Sequence, residues 1–423
     1  PILYIIFEST VKIKIPVKTI SIILALFFAG SVNAHAQDGI SLEAAIDTAL
    51  KNNLNIKNEK LRSDYQQALI QSSANIPHAS LSTEYGQINS NYNDSRFGIS
   101  QAFSFPTVYS NQKKLLNEEY NSAVLSVSLK EAEIKKAVSQ IFSTIIILRE
   151  KEKLLTETDS IYTEFLNKAL IRFKAGESNT LEKATAQTQK GAIYLQLKAL
   201  QEEIKLAKLQ FRLLLNTTSD IEPYSEKKKM ELIQPDKSAV IREHPLSRIS
   251  VQQKKIAAAN TRLEKSKMLP DLSLGYFNSS IKGTGADNIY YSSDKRFGAV
   301  SFGIGIPLFT GAQKARVNAS KLSESIAENA YQNQVLNLET QYTASMSQFE
   351  NYSQSADYFE KNSLTESKLI RETANKQFIN GEINYLDWVL LNNQAVIIQS
   401  NYLDLIKNLN ESIINLNFLS SKK

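Results

Sequence analysis

Residues 173–182 read FKAGESNTLE, and residues 378–387 read FINGEINYLD. Both stretches run Phe-x-x-Gly-Glu, then place a Leu and an acid at the fifth and sixth positions after the glycine. They lie 205 residues apart, and three further landmarks recur in the same order: Pro77 with Pro270, Arg96-Phe97-Gly98 with Arg296-Phe297-Gly298, and Phe105-Pro106 with Ile306-Pro307. The offsets drift between 193 and 205, as loop insertions would cause, so one structural unit of about 200 residues occurs twice. The halves are read as 37–220 and 237–423, joined by a linker over 221–236.

Each Gly-Glu turn is flanked by helical pattern. Helices are expected over 108–174 and 180–215 in the first half, and over 312–379 and 385–419 in the second. With only 14 Gly and 9 Pro in 423 residues, breakers are scarce, which suits long uninterrupted helices. Residues 108–174 alone would reach about 100 Å, a length that survives only against partners. Ile134, Ile141, Leu148, Leu155, Tyr162 and Ala169 recur every seven residues, with Val138, Ile145, Leu166 and Phe173 in the second seam. Val335, Tyr342, Phe349 and Ala356, with Leu338, Tyr352 and Phe359, do the same in the second half. Both series predict coiled-coil packing.

The turns have a physical reading of their own. Gly176 and Gly381 suit the left-handed position that ends a helix, and Ser178, Asn179 and Asn384 suit N-caps for the next one. Glu182 and Asp387 fall in the first turn of that helix, where the macrodipole favours a carboxylate.

Each half opens with another helix, over 41–73 and 237–267, ended by Pro77 or Pro270. Two short segments follow in each, expected as strands over 79–87 and 96–105, and over 271–279 and 296–306. They alternate with period two. Leu81, Thr83 and Tyr85 oppose Ser80, Ser82 and Glu84; Leu272, Leu274 and Tyr276 oppose Ser273 and Gly275; Val300, Phe302, Ile304 and Ile306 oppose Ser301, Gly303 and Gly305. An apolar face opposite a small or polar one is the pattern of a barrel with lipid outside and water inside. Four strands cannot close a barrel alone, and in lipid no edge can stay unpaired, so closure requires several copies. Eight strands would be filled by side chains, whereas three copies supply twelve and leave a lumen, so a pore favours a homotrimer.

Ahead of residue 37, Lys12, Lys14 and Lys18 precede the apolar run Ile20–Gly30 and Ala34-His35-Ala36. That is a cleavable signal peptide over 1–36. The chain has no Cys, and its three His (His35, His78, His244) are far apart, which argues against a disulfide scaffold, a metal site or a cysteine nucleophile. The net charge of +6 is interspersed with acids, so nucleic-acid binding lacks support. Gly283–Asn288 (GTGADN) has no strand–turn–helix around it and is not a phosphate loop. No cofactor is expected, and no constellation supports an enzyme.

The duplicated helix–strand–strand–helix unit, the opening SLEAAIDTALKNN (41–53), the paired Gly-Glu tips and the stretch HPLSR (244–248) together resemble the TolC-like outer-membrane efflux proteins, over residues 41–419. The resemblance implies a mainly α fold with a small membrane β part: a trimeric 12-stranded outer-membrane β-barrel on a long periplasmic α-helical coiled-coil tunnel. It implies a passive duct for small solutes, metal ions or drugs, located in the outer membrane with a periplasmic extension. The implied partners are outer-membrane lipid, a periplasmic adaptor (membrane fusion) protein and a proton-driven inner-membrane efflux pump. Residues 83–112 further resemble members found with heavy-metal pumps in Bacteroidetes-type bacteria. By the same resemblance Asp387 and Glu182 line the periplasmic aperture, and Phe173, Gly176, Glu177, Phe378, Gly381 and Glu382 form the tips on which the adaptor docks. The family often carries a second acid three residues after the first; here that position is Leu390. A soluble periplasmic coiled-coil adaptor or structural protein is the alternative; it accounts for the signal and the heptads, but less well for four amphipathic strands and a duplication.

Overall fold

The computed structural model describes residues 39–232 and 241–420. The signal segment lies outside the described residues, as do residues 233–240, which hold the end of the linker and the predicted start of the second half.

The first half begins with α1 (Leu42–Asn52) and α2 (Leu54–Leu69), followed by a 3-10 turn, Ile70–Ala74. The single helix predicted over 41–73 is therefore divided, and Asn53 divides it. Its Oδ1 accepts from the Asn55 N–H at 2.9 Å, capping α2, while its Nδ2 donates to the Leu214 carbonyl at 2.9 Å. A side chain that caps one helix and ties down another competes with helix continuation. Strands β1 (Ser80–Gly86) and β2 (Asp94–Phe103) follow, then the long helix α3 (Pro106–Lys174). It begins two residues before the predicted start, because proline suits the first helical turn. Its 69 residues span about 100 Å. Helix α4 (Thr180–Leu215) matches its predicted range.

The second half comprises α5 (Pro245–Ser266), β3 (Asp271–Ser280), the two-residue strands β4 (Gly283–Thr284) and β5 (Tyr290–Tyr291), β6 (Arg296–Gly305), α6 (Gly311–Tyr358), α7 (Leu364–Ile379) and α8 (Tyr385–Leu419). Between α6 and α7, Phe359–Ser363 form one turn of π-helix, so the single helix predicted over 312–379 is interrupted.

The helices stand side by side as columns. Beside the strands the order is α2–α3–α5–α6; at the other end it is α4–α3–α8, with α6 and α7 beyond α8. One core forms where Ala45 and Ala49 of α1 meet Val138 and Ile145 of α3 and Phe211 of α4. A second joins Ile147 and Leu154 of α3 to Leu403 and Ile406 of α8, and a third lies at the far end. Each fully buried Leu, Ile or Phe contributes about 2 kcal/mol of transfer free energy, so three such cores hold the long columns together. The linker is held by Asn410, 1% exposed: its Oδ1 accepts from the Met230 N–H, and its Nδ2 donates to Ser143 Oγ and to the Lys228 carbonyl.

The two hairpins coil differently. In α4, Ala186, Ile193, Leu200 and Ala207 are buried at steps of seven, the left-handed coiled-coil period. In the second hairpin, Ser345, Ala356 and Ser367 are buried at steps of eleven, and on α8 Asn392 and Ala395 are followed eleven residues later by Leu403 and Ile406. An eleven-residue period relaxes the left-handed supercoil. In the second long helix the seven-residue step from Leu338 to Ser345 thus gives way to two steps of eleven, the second of which spans the π turn, and returns from Ser367 to Ala374.

The sheet is an antiparallel meander in the order β1-β2-β3-β6. Its register aligns Leu81, Ile99, Tyr276 and Val300 in one lateral row, and Gln101, Leu274 and Phe302 in the next. Among the described residues nothing covers this face: Val300 is 75% and Phe302 71% exposed. Opposite lie Ser82, Gly98, Phe277 and Ala299 in one row and Ser100, Gly275 and Ser301 in the next. The register corrects one internal match. Phe97 shares the apolar face with Ile99, but Phe297 pairs with Ser279 on the other face, so the two Arg-Phe-Gly triplets are not structural equivalents. An even offset of 200 breaks the alternation, whereas 201, given by Pro106 and Pro307, preserves it.

Candidate functional site

Both Gly-Glu turns lie at the end of the molecule far from the sheet. At the first, Gly176 has φ +76; the Glu177 N–H donates to the Arg172 carbonyl at 2.9 Å and the Gly176 N–H to the Phe173 carbonyl at 3.1 Å. At the second, Gly381 has φ +78; the Glu382 N–H donates to the Gln377 carbonyl at 2.8 Å and the Gly381 N–H to the Phe378 carbonyl at 3.1 Å. Both are Schellman turns, which need a residue free to adopt positive φ. Asn179 then caps α4 by accepting from the Glu182 N–H at 2.8 Å, and Asn384 caps α8 by accepting from the Asp387 N–H at 3.0 Å. Ser178, the third predicted cap, instead donates its hydroxyl to Glu182 Oε2 at 2.6 Å.

The two acids occupy the same place in the repeat but different surroundings. Arg172 donates to Glu182 Oε1 at 3.3 Å, and with Ser178 this leaves the Glu182 side chain 15% exposed. Asp387 is exposed, and among the described residues no group pairs with its carboxylate. The aromatic tip residues differ as well. Lys183 Nζ lies 4.6 Å from the Phe173 ring centre. Phe378 enters a cluster with Phe165 at 5.0 Å, Trp388 at 5.8 Å and Tyr385 at 6.2 Å. Glu177 and Glu382 are exposed, and Glu382 Oε1 accepts from Asn380 Nδ2 at 3.1 Å.

That aromatic cluster, which sequence reading did not single out, brings the two tips together. Phe165 stacks on Trp388 at 3.5 Å, and Tyr162 meets Trp388 edge-on at 5.6 Å. Tyr162 Oη donates to Asn393 Oδ1 at 2.8 Å, and Trp388 Nε1 donates to Asn375 Oδ1 at 2.8 Å. Burial and the nearby Glu182 charge push the Tyr385 hydroxyl up to about 12. The signal available in sequence was the one Trp of the chain, three residues after Tyr385. Chemically the tip offers an exposed carboxylate on a rigid, capped helix end. It can attract a cation or a basic partner.

No family model matches the chain, and no curated protein matches it. Solved structures do. The Campylobacter jejuni CmeC outer-membrane channel has a TM-score of 0.76 at 16% identity, over 89% of this chain and 85% of that one. CusC, whose structures are described in terms of folding and transmembrane channel formation, gives 0.76 at 14% identity, over 91% and 94%. The open state of the Neisseria gonorrhoeae MtrE outer-membrane channel gives 0.72 at 17% identity, over 90% and 89%. At these identities the likeness establishes the fold: strands and helical columns are arranged as in TolC-like channels.

Proposed function

We propose, from that shared fold, that the protein is the outer-membrane duct of a tripartite efflux system. Three copies of the four-stranded sheet close a twelve-stranded barrel, and their columns continue as a periplasmic tunnel. The observation that carries the reading is the sheet itself. Among the described residues its apolar face is bare, and both its edge strands, β1 and β6, lack partners. An exposed apolar face with open edges is costly in water and is satisfied by lipid on one side and further copies at each edge. Among the described residues no helix is long and apolar enough to cross a membrane, so the sheet is the element suited to lipid.

In this reading Asp387 lines the aperture of the tunnel, and a periplasmic adaptor docks on Phe173, Gly176, Glu177, Phe378, Gly381 and Glu382. An inner-membrane pump supplies the energy; the duct is passive and carries small solutes, metal ions or drugs. Docking dilates the tips by a shift in population toward the open state, which requires that the adaptor bind that state more tightly. The test is conductance of the purified protein in planar lipid bilayers, wild type against Asp387→Arg. Stable unitary conductances are expected in the wild type, with cation preference lowered in the variant. Protein that extracts as a monomer and gives no conductance refutes the duct.

A further inference from the structure

The second hairpin contains a joint that the first lacks. Helix α3 runs unbroken for 69 residues. Its counterpart has the same total length, as α6 with 48 residues, the π turn with 5 and α7 with 16. A π turn inserts one residue into a helix without ending it, loosens local hydrogen bonding and is a recurrent place for a helix to bend. Here it falls within the second of the two eleven-residue steps, between Ala356 and Ser367. Below it, α7 rests chiefly on α8 and meets α3 through the Arg371–Glu157 ion pair at 3.9 Å and, at its last turns, through Phe378 and Phe165.

The turn also carries a polar catch. Glu360, the second residue of the π turn, accepts from Tyr402 Oη of α8 at 2.6 Å and from Lys229 Nζ at 2.8 Å. Lys229 belongs to the linker, which Asn410 holds against α3 and α8. The Phe359 ring lies 6.3 Å from that of Tyr402. Burial raises the Glu360 carboxyl, but the hydrogen bonds from Lys229 and Tyr402 and the lysine charge outweigh it and leave the group lowered, hence ionised at neutral pH.

We propose that the π turn Phe359–Ser363 is the joint on which α7 and the second tip swing, and that Lys229 and Tyr402 lock it by gripping Glu360. A link between the linker and the tip follows. Ile379 lies about 24 Å along the helix from Ser363, so a rotation of about 10° at the joint displaces the tip by roughly 4 Å. That this swing widens an aperture rests on the duct reading above; the joint itself does not.

The chain has no Cys, so introduced cysteines can be spin-labelled cleanly. Labels at Asn167→Cys on α3 and Lys376→Cys on α7, in chains diluted with unlabelled ones, report the distance between the first hairpin and the second. The wild type is expected to give one dominant distance. Glu360→Gln and Lys229→Met are each expected to raise a second population about fivefold, the factor for about 1 kcal/mol of lost ion pairing. Deleting Asn362, an exposed residue of the π turn, restores an even α-helix and is expected to abolish that second population in the Glu360→Gln background. A Glu360→Gln distribution identical to wild type overturns the catch, and a second population that survives the deletion overturns the joint. Bilayer conductance of the same samples separates this proposal from the duct: a shifted distance with unchanged conductance upholds the joint and counts against the aperture.

Discussion

Glu182 and Asp387 are aligned in sequence, yet one is bound by Arg172 and Ser178 while the other stands free. Asp387→Asn is therefore expected to leave the melting temperature within a degree or two, since it loses little beyond a helix-dipole contribution of about 0.5 kcal/mol, and to lower cation preference in bilayers. Glu182→Gln is expected to do the reverse, losing about 1 kcal/mol of stability with little change in selectivity; equal effects of both on selectivity would place both acids at the aperture. A third residue governs acid tolerance. His244 is 1% exposed, caps α5 by accepting from the Leu246 N–H at 3.2 Å, and packs edge-on against Phe418. Burial pushes its pKa down to about 4, with the Phe418 backbone offsetting part of the fall. Between pH 6.5 and about 4 the unfolded chain holds the proton that the fold excludes. Stability is thus lost as pH falls through that window, by at most about 3 kcal/mol. His244→Asn keeps a capping oxygen and removes the titration, so its melting temperature is expected to fall less between pH 7 and 4.5 than that of the wild type.

Among the elements, the strands give the sharpest contrast. Phe302 lies on the bare apolar face and its neighbour Ser301 on the opposite one. Phe302→Lys is expected to lower folding stability in lipid vesicles by about 2–4 kcal/mol, and Ser301→Lys to be tolerated. Comparable losses would mean that the two faces are not divided between lipid and water. This alternation was legible in sequence because a period of two allows only two faces, and the helix ends at Lys174 and Ile379 were legible because a glycine two residues on marks each. The break at Asn53 was not, because its cause is a contact with Leu214, 161 residues away. Nor was the π turn: the heptad reading continues through Tyr352 to Phe359, and its partners Lys229 and Tyr402 come from distant segments. The two tip acids were legible as a pair, but their inequality depends on Arg172 folding back over Glu182 and having no counterpart at Asp387.

At the scale of the whole molecule, the protomer is an open wall. On one flank α2 exposes Leu54, Leu61 and Tyr65, and α4 exposes Leu206, Leu209 and Leu213; on the other, α6 exposes Leu322, Ile326 and Leu336. The spacings of three, four, seven and ten, each a step along one helix face, are those of helix seams awaiting partners. Two different flanks joined head to tail give a ring when the rotation closes, and three walls would set β6 of one copy beside β1 of the next. Continuity of the apolar face then restricts the pairing. On β1 that face carries odd-numbered residues and on β6 even-numbered ones, so across the junction an odd position of one strand must meet an even position of the other. Directly opposed residues on adjacent antiparallel strands lie about 4.5–5.5 Å apart, within disulfide range. Thr83→Cys combined in turn with Val300→Cys, Phe302→Cys or Ile304→Cys is expected to give a covalent three-chain species on oxidation, at one of the three partners more than the others. The same Thr83→Cys with Ala299→Cys, Ser301→Cys or Gly303→Cys is expected to give none, because those side chains project from the opposite face of the sheet. Cross-linking by the odd set would mean that the edges meet out of phase, and its absence from both sets would mean that they do not meet.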